Sequence, residues 1–336
     1  MTNTWKGKHG PLLIAEIGGN HEGNFEYALK LTKLAIEANV DFVKFQLYSG
    51  DSLVSKLESP TRNKHFKKFE LSKENYLELA LLCEKNGTRF MASVWNPDYV
   101  SWIDEHNSIY KIGSGDLTAY PVLKQFTKLK KPIILSTGLS TFDDVVGAVN
   151  FIQEQEEIYK DPNYLSILQC TSMYPIPYSD ANLNVMDSLN NLFGLPVGYS
   201  DHTEGKKALV TAVAKGAKIL EFHFTDSREN KTFRDHMVSL TRDEVLEMIE
   251  EIKEIEELIG SKIKKPLPVE GEHVTTFRRA VYPLKNLKKG TLLTESNLTV
   301  LRPNHGIDAR EYYNVIGKKL KVDVKEHQKL SWDILE

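Results

Sequence analysis

The chain has 336 residues, 41% apolar and 26% charged, with a net charge of −3. That length exceeds one ordinary domain, yet it suits an eight-stranded barrel of roughly 250 residues carrying a small appendage. The small net charge gives no sign of a nucleic-acid partner, no apolar run nears the ~20 residues that cross a bilayer, and two distant cysteines, Cys83 and Cys170, supply neither a disulfide framework nor a structural zinc site.

The opening, MTNTWKGKHGPLLIAEIGGNHEG, lacks the basic, apolar, small-residue order of a secretory signal, because Glu16, His21 and Glu22 follow its only apolar stretch. The cytoplasm is therefore the expected compartment. Eight short apolar runs then end in polar or charged residues: LLIAEIG, FVKFQLY, TRFMASV, YKIGSGD, PIILSTG, YLSILQCT, LPVGYSDH and KILEFHF. Segments of helical period separate most of them. Asn24 to Asn39 places Ala28, Leu31, Ala35 and Ile36 on one face behind an Asn24 N-cap. Ser72 to Gly87 repeats the pattern, with Tyr76, Leu77, Ala80 and Leu81 facing inward and Gly87 as a left-handed C-cap. Thr141 with Asp144 starts the helix after the fifth run, and Thr241 with Glu244 forms a capping box before Val245, Ile249, Ile252, Ile255 and Ile259. Strand and helix alternating eight times predict an α/β fold: a (β/α)8 TIM barrel over residues 1–260, with its chemistry at the C-terminal ends of the strands.

Residues 261–274, rich in proline, glycine and charge, read as an exposed linker. From Thr275 the apolar runs shorten and break at turns such as Lys288-Lys289-Gly290, predicting a β-rich module over 275–336 that buries little core of its own. Residues 271–336 carry 12 Lys/Arg and 8 Asp/Glu, against 31 and 38 in the remainder. A basic module of this kind lies over an anionic substrate, docks on an acidic barrel, or is simply an unevenly charged surface.

The chemistry-bearing residues fall at the strand ends. Lys111, Ser114 in its glycine-flanked turn, and Ser136 with Thr137 make a phosphate cradle if they converge; as structure alone they are turn glycines and capping hydroxyls. A period of two sends Lys44 and Gln46 to one face, leaving Phe42, Phe45 and Leu47 helix-facing or flanking. A barrel-interior lysine needs an anionic ligand or a partner such as Glu16 on the neighbouring strand. His202 and His223, at the ends of adjacent strands, suit a divalent metal completed by water and substrate oxygens, with Glu221 a further ligand or supporting partner. Asp235 and His236 overhang the mouth or form a solvated loop, and Thr171, Ser172 and Tyr174 line a polyol pocket after the sixth strand.

Taken together, AEIGGNHEG, VKFQLY, YKIGSGD, PIILSTG, CTSMYPIP, GYSDHTEG, EFHFT and RDHMVSL resemble the sialic acid synthase family, also called the nonulosonate synthases. Residues 275–336, including LRPNHGIDAREYYNVIGKK, resemble that family's C-terminal antifreeze-like, or SAF, domain. The resemblance implies condensation of phosphoenolpyruvate with an open-chain N-acetylated hexose, a divalent metal (Mn²⁺ or Mg²⁺) and a domain-swapped homodimer. Carried over motif by motif, it assigns Lys44, Gln46, Ser93, Lys111, Ser114 and Ser136 to phosphoenolpyruvate, and His202 and His223 to the metal. Glu16, Ser172, Tyr174, Ser200 and Asp235 fall around the sugar or the attacking water, and Arg302 is the arginine a partner subunit extends over the acceptor. Glu16, Lys44, Lys111 and Asp235 are thereby the expected catalytic groups.

Three segments depart from the family pattern. MASVW places Val94 and Trp95 where proline and phenylalanine are usual, Phe233-Arg234-Asp235-His236 replaces Gly-Pro-Asp-His, and Phe222 stands where a basic residue is common. The resemblance implies N-acetylmannosamine or a 2,4-diacetamido-trideoxyhexose as the acceptor, and these departures leave the choice between them open. Against these stand an octulosonate-type synthase using a phosphorylated sugar, which would need a second anion site, and a non-catalytic carbohydrate-binding protein.

Overall fold

The period of two in the apolar runs becomes eight parallel strands: β1 Gly10–Glu16, β2 Phe42–Leu47, β3 Arg89–Val94, β4 Tyr110–Ile112, β5 Ile133–Ser136, β6 Leu165–Cys170, β7 Val197–Asp201 and β8 Ile219–His223. The computed structural model describes residues 4–336. Backbone ladders join the strands in the order β3-β2-β1-β8-β7-β6-β5-β4. At the β3/β4 seam the Asn107 side chain accepts a hydrogen bond from Ala92 N–H at 2.9 Å.

Helices are interspersed with the strands along the chain: α1 Phe25–Glu37, α2 Pro60–Lys68, α3 Lys73–Lys85, α4 Tyr120–Thr127, α5 Phe142–Gln155, α6 Val185–Phe193, α7 Lys207–Ala214 and α8 Arg242–Ile259. Asn24, Ser72, Thr141 and Thr241 each accept a backbone N–H at the starts of α1, α3, α5 and α8, satisfying donors that a helix leaves orphaned. Gly87 takes the left-handed conformation after α3, at φ 70°. The buried face of α3 is Tyr76, Leu79, Ala80 and Cys83. Leu81 is 55% exposed, so its expected inward placement is wrong: the face follows 3.6 residues per turn around Ala80 and leaves Leu81 on the far side.

Inside the barrel the side chains form two strata. Leu12, Ile14, Phe42, Met91, Ile109, Ile134, Leu168 and Ile219 fill the N-terminal end as one apolar cluster with Trp5. Phe42 thus shares the interior face with Lys44, two residues on, instead of facing a helix. One pleat higher the same inward positions are Glu16, Lys44, Ser93, Lys111, Ser136, Ser200, Glu221 and His223, all buried. A dry floor with a polar layer above it is what strand parity dictates once the inward residue changes from apolar to charged. Gly198 belongs to the narrow end, where an added Cβ would lie 2.3 Å from the Ile219 carbonyl oxygen.

The chain divides at Gly260 into two compact units. The second, Ser261–Glu336, contains the antiparallel pair β9 Ala280–Pro283 and β10 Leu298–Leu301. Its own core includes Val281, Leu293, Leu298, Val315, Leu320 and Leu330, so the module buries more apolar surface than its composition suggested. Among the described residues, no helix is long and apolar enough to cross a membrane.

Candidate active site

A cavity of about 1090 Å³ opens at the C-terminal ends of the strands. The barrel residues that the family resemblance assigned to substrate or metal all line it: Glu16, Lys44, Gln46, Ser93, Lys111, Ser114, Ser136, Ser172, Tyr174, Ser200, His202, His223 and Asp235, joined by Glu221. Arg302 belongs to the second unit, where it is exposed and lies over the Phe277 ring at 5.6 Å. Two expected hydroxyls are spent elsewhere. Thr137 Oγ1 donates to the Leu168 carbonyl, and Thr171 Oγ1 donates to that of Asp180, so both act as structural ties instead of lining the cavity.

At the base of the cavity two lysines and two glutamates alternate. Lys44 Nζ lies 2.5 Å from Glu16 Oε2 and 3.3 Å from Glu221 Oε1, while Lys111 Nζ lies 3.5 Å from Glu221 Oε2. Gln46 Nε2 donates to Glu16 Oε1 at 2.6 Å, and Lys111 Nζ donates to Ser136 Oγ at 2.6 Å. The two carboxyls diverge. Burial pushes Glu16 up, more than Lys44 brings it down, and the Glu221 charge adds to the rise. Burial also opposes ionisation of Glu221, but Lys111 and Lys44 outweigh it and hold its pKa at about 2. Glu221 is thus held ionised and Glu16 is shifted toward its neutral form, so the two carboxyls differ in proton affinity. Lys111 is pulled down, burial being the largest cause, whereas both carboxylates keep Lys44 up despite burial.

The hydroxyls beside the lysines depend on a glycine. Ser114 Oγ accepts from Gly138 N–H at 3.0 Å, and a Cβ on Gly138 would fall 2.2 Å from Ser172 Oγ and 2.8 Å from Ser114 Oγ. Only glycine lets both hydroxyls and a backbone N–H converge at that point.

Across the cavity, the His202 and His223 rings have centroids 5.4 Å apart, with Tyr174 packed against both. His202 Nδ1 bonds the Thr171 carbonyl at 2.7 Å, which leaves Nε2 for a ligand. His223 Nδ1 is buried without a hydrogen-bond partner and lies 4.0 Å from Asp235 Oδ2. Burial, then the nearby His202 and Lys44, hold the His223 imidazole well below its ordinary pKa, hence neutral and able to ligate. Burial lowers His202 too, but Cys170 and the Thr171 carbonyl outweigh it, so the net shift is upward. Among the described residues no cluster of three or more His, Cys, Asp or Glu forms a complete metal cage. The orphaned imidazole fits a divalent ion that takes the rest of its shell from water and substrate oxygens.

An aromatic wall closes the mouth. The rings of His65 and Phe69 pack tilted with centroids 4.5 Å apart, and those of Phe69 and Phe233 likewise at 4.9 Å, so α2 and its following turn meet the loop after β8. Arg234 reaches over Tyr174 at 4.6 Å and pairs with Asp235 at 3.1 Å. Asp235 and His236 are both buried, which excludes a solvated loop. Glu221, expected from the sequence as a further metal ligand or supporting partner, pairs with Lys44 and Lys111, while the α2 wall carries no sequence signal because its apolar residues follow no simple period.

The NeuB family matches residues 31–264, and the SAF domain matches residues 278–336. The N,N'-diacetyllegionaminic acid synthase of Campylobacter jejuni is 34% identical, over 94% of this chain and 98% of its own length. The human N-acetylneuraminate-9-phosphate synthase is 32% identical, over 98% of this chain and 94% of its own. Among solved structures, the N-acetylneuraminic acid synthetase of Leptospira borgpetersenii aligns at a TM-score of 0.72 and 28% identity, covering 78% of this chain and 90% of that one. The barrel, its ring of strand-end residues and the SAF module accompany a match over most of the chain: it belongs to the NeuB family.

Proposed function

We propose that the chain is a nonulosonate synthase that condenses phosphoenolpyruvate with N-acetylmannosamine or a related acetamido hexose, giving a nine-carbon 2-keto acid and phosphate. The observation that carries this reading is the pairing, within one cavity, of the Lys44/Lys111 anion cradle with the His202/His223 imidazoles.

Lys111 and Lys44 bind the phosphate and carboxylate of phosphoenolpyruvate, with Ser136, Ser114, Ser93 and Gln46 supplying hydrogen bonds, and they balance the charge of the departing phosphate. Carbon 3 of phosphoenolpyruvate attacks the acceptor aldehyde, forming the new carbon–carbon bond as the aldehyde oxygen gains a proton. Water adds at carbon 2 and gives one proton to Glu16, which balances the one gained by the aldehyde oxygen, and the carbon–oxygen bond to phosphate breaks as the remaining hydroxyl proton leaves with the phosphate, giving the ketone. Asp235, Ser172, Tyr174 and Ser200 orient the acceptor's hydroxyls. A divalent metal held by His202 and His223, Mn²⁺ or Mg²⁺, would polarise the aldehyde. Arg302, exposed on the SAF unit, is the group a domain-swapped partner would lay over the acetamido group.

The relatives' names span several acceptors. One observation favours a 2,4-diacetamido-trideoxyhexose: the His65–Phe69–Phe233 wall offers an apolar surface to a methyl terminus. His223→Ala should abolish metal-dependent turnover while leaving the melting temperature near that of the parent. Undiminished turnover in metal-free buffer would sink the metal assignment.

A further inference from the structure

Two motifs at opposite ends of the barrel sequence, GGNHEG and RDHMVS, meet through a set of hydrogen bonds whose members, Asp235 apart, the reaction as described does not use. Asn20 is fully buried, and its Nδ2 donates to the Phe224 carbonyl at 2.9 Å and to Ser239 Oγ at 2.8 Å. Ser239 Oγ in turn donates to the carbonyl of Asp235 at 2.6 Å. Beside this chain, the fully buried His236 ring meets Thr225 Oγ1 at 2.8 Å through Nδ1 and Glu22 Oε1 at 3.3 Å through Nε2. Glu22 has φ 52°, a conformation that residues other than glycine rarely adopt, and this conformation brings its carboxylate to His236. Gly19 completes the contact, since a Cβ there would lie 3.0 Å from the Phe233 ring.

The Asn20 and Glu22 bonds join the turn after β1 to the segment after β8, the Thr225–His236 and Ser239–Asp235 bonds tie that segment to itself, and Asp235 sits among them with its carboxylate 4.0 Å from His223. We propose that the buried Asn20, His236 and Ser239, with the partly exposed Glu22, form a clamp whose task is to fix Asp235 at the acceptor end of the cavity. His236 and Asn20 are on this account positioning residues. The role of Asp235 toward the acceptor rests on the synthase reading; the clamp itself does not.

The test uses His236→Leu, which keeps volume but removes both ring contacts, with His236→Gln as the conservative variant. Loosening Asp235 should raise the acceptor KM by about tenfold to a hundredfold and leave the phosphoenolpyruvate KM within about twofold, with His236→Gln recovering most of the loss. In an Asp235→Asn background His236→Leu should add less than about a further twofold, because its effect runs through Asp235. Amide exchange across residues 226–239 should accelerate by about tenfold or more while the strands stay protected. Equal effects on both KM values, full additivity with Asp235→Asn, or unchanged exchange would each overturn the clamp. If no acceptor turns over, the synthase reading fails by itself, and the exchange measurement still decides the clamp.

Discussion

Glu221→Gln isolates the electrostatics of the cavity base. Glu221 stands 3.3 Å from Lys44 Nζ and 3.5 Å from Lys111 Nζ, so at an effective dielectric of ~20 each contact represents about 5 kcal/mol of attraction before desolvation is set against it. Removing one partner of a buried ion pair typically costs about 3–5 kcal/mol net. Lys44 keeps Glu16 at 2.5 Å, but Lys111 retains only Ser136 Oγ and the Ile112 carbonyl, so it is the cation left without a counter-charge. Taking about 3 kcal/mol, and about 2–4 °C per kcal/mol for a unit of this size, the melting temperature should fall by about 6–12 °C. Phosphoenolpyruvate supplies the missing negative charge, so its stabilising shift in differential scanning fluorimetry should be larger for Glu221→Gln than for the parent. An unchanged melting temperature, or equal ligand shifts in both proteins, would refute the cradle.

Gly23→Ala should cost about 2–4 kcal/mol, because φ is 77° and the new Cβ would lie 2.1 Å from the Lys68 carbonyl oxygen. Gly87→Ala, at φ 70° with open space around it, should cost only about 1 kcal/mol, and equal losses by urea titration would contradict the packing argument. Glu244 is held at about 2, first by its hydrogen bonds to Arg228 at 2.5 and 2.8 Å. Its folded pKa is depressed, so its contribution is present above the ordinary value of 4.5 and is lost as pH falls toward 2. The pair is partly exposed, so Glu244→Gln should destabilise by only about 1 kcal/mol at pH 7, and the gap should close between those two values. A gap that persists at the acid end would contradict the assignment.

Much of this was legible because strand parity is strict. Lys44, Lys111 and His223 lie on barrel strands and His202 directly follows one, and a period of two puts each on the same face as the apolar residue or hydroxyl two or four positions before it. Caps were legible for a similar reason, since Thr141 with Asp144 and Thr241 with Glu244 are local bonds three residues apart. What escaped was non-local. Asn20 and Ser239 are 219 positions apart, and no periodicity announces their hydrogen bond. Phe42 stands two residues before Lys44, so strict parity already puts it on the interior face; an aromatic residue suits the helix-facing core as well, and that preference misled the reading against the period.

The central claim is the condensation, and its most direct test follows phosphate and product together. The chain, phosphoenolpyruvate and Mn²⁺ are incubated with N-acetylmannosamine, 2,4-diacetamido-trideoxyhexoses and arabinose 5-phosphate in turn. The account predicts phosphate release only with an acetamido sugar, one phosphate for each nine-carbon keto acid seen by mass spectrometry. Release without an acceptor, release with arabinose 5-phosphate alone, or silence across the panel would contradict it.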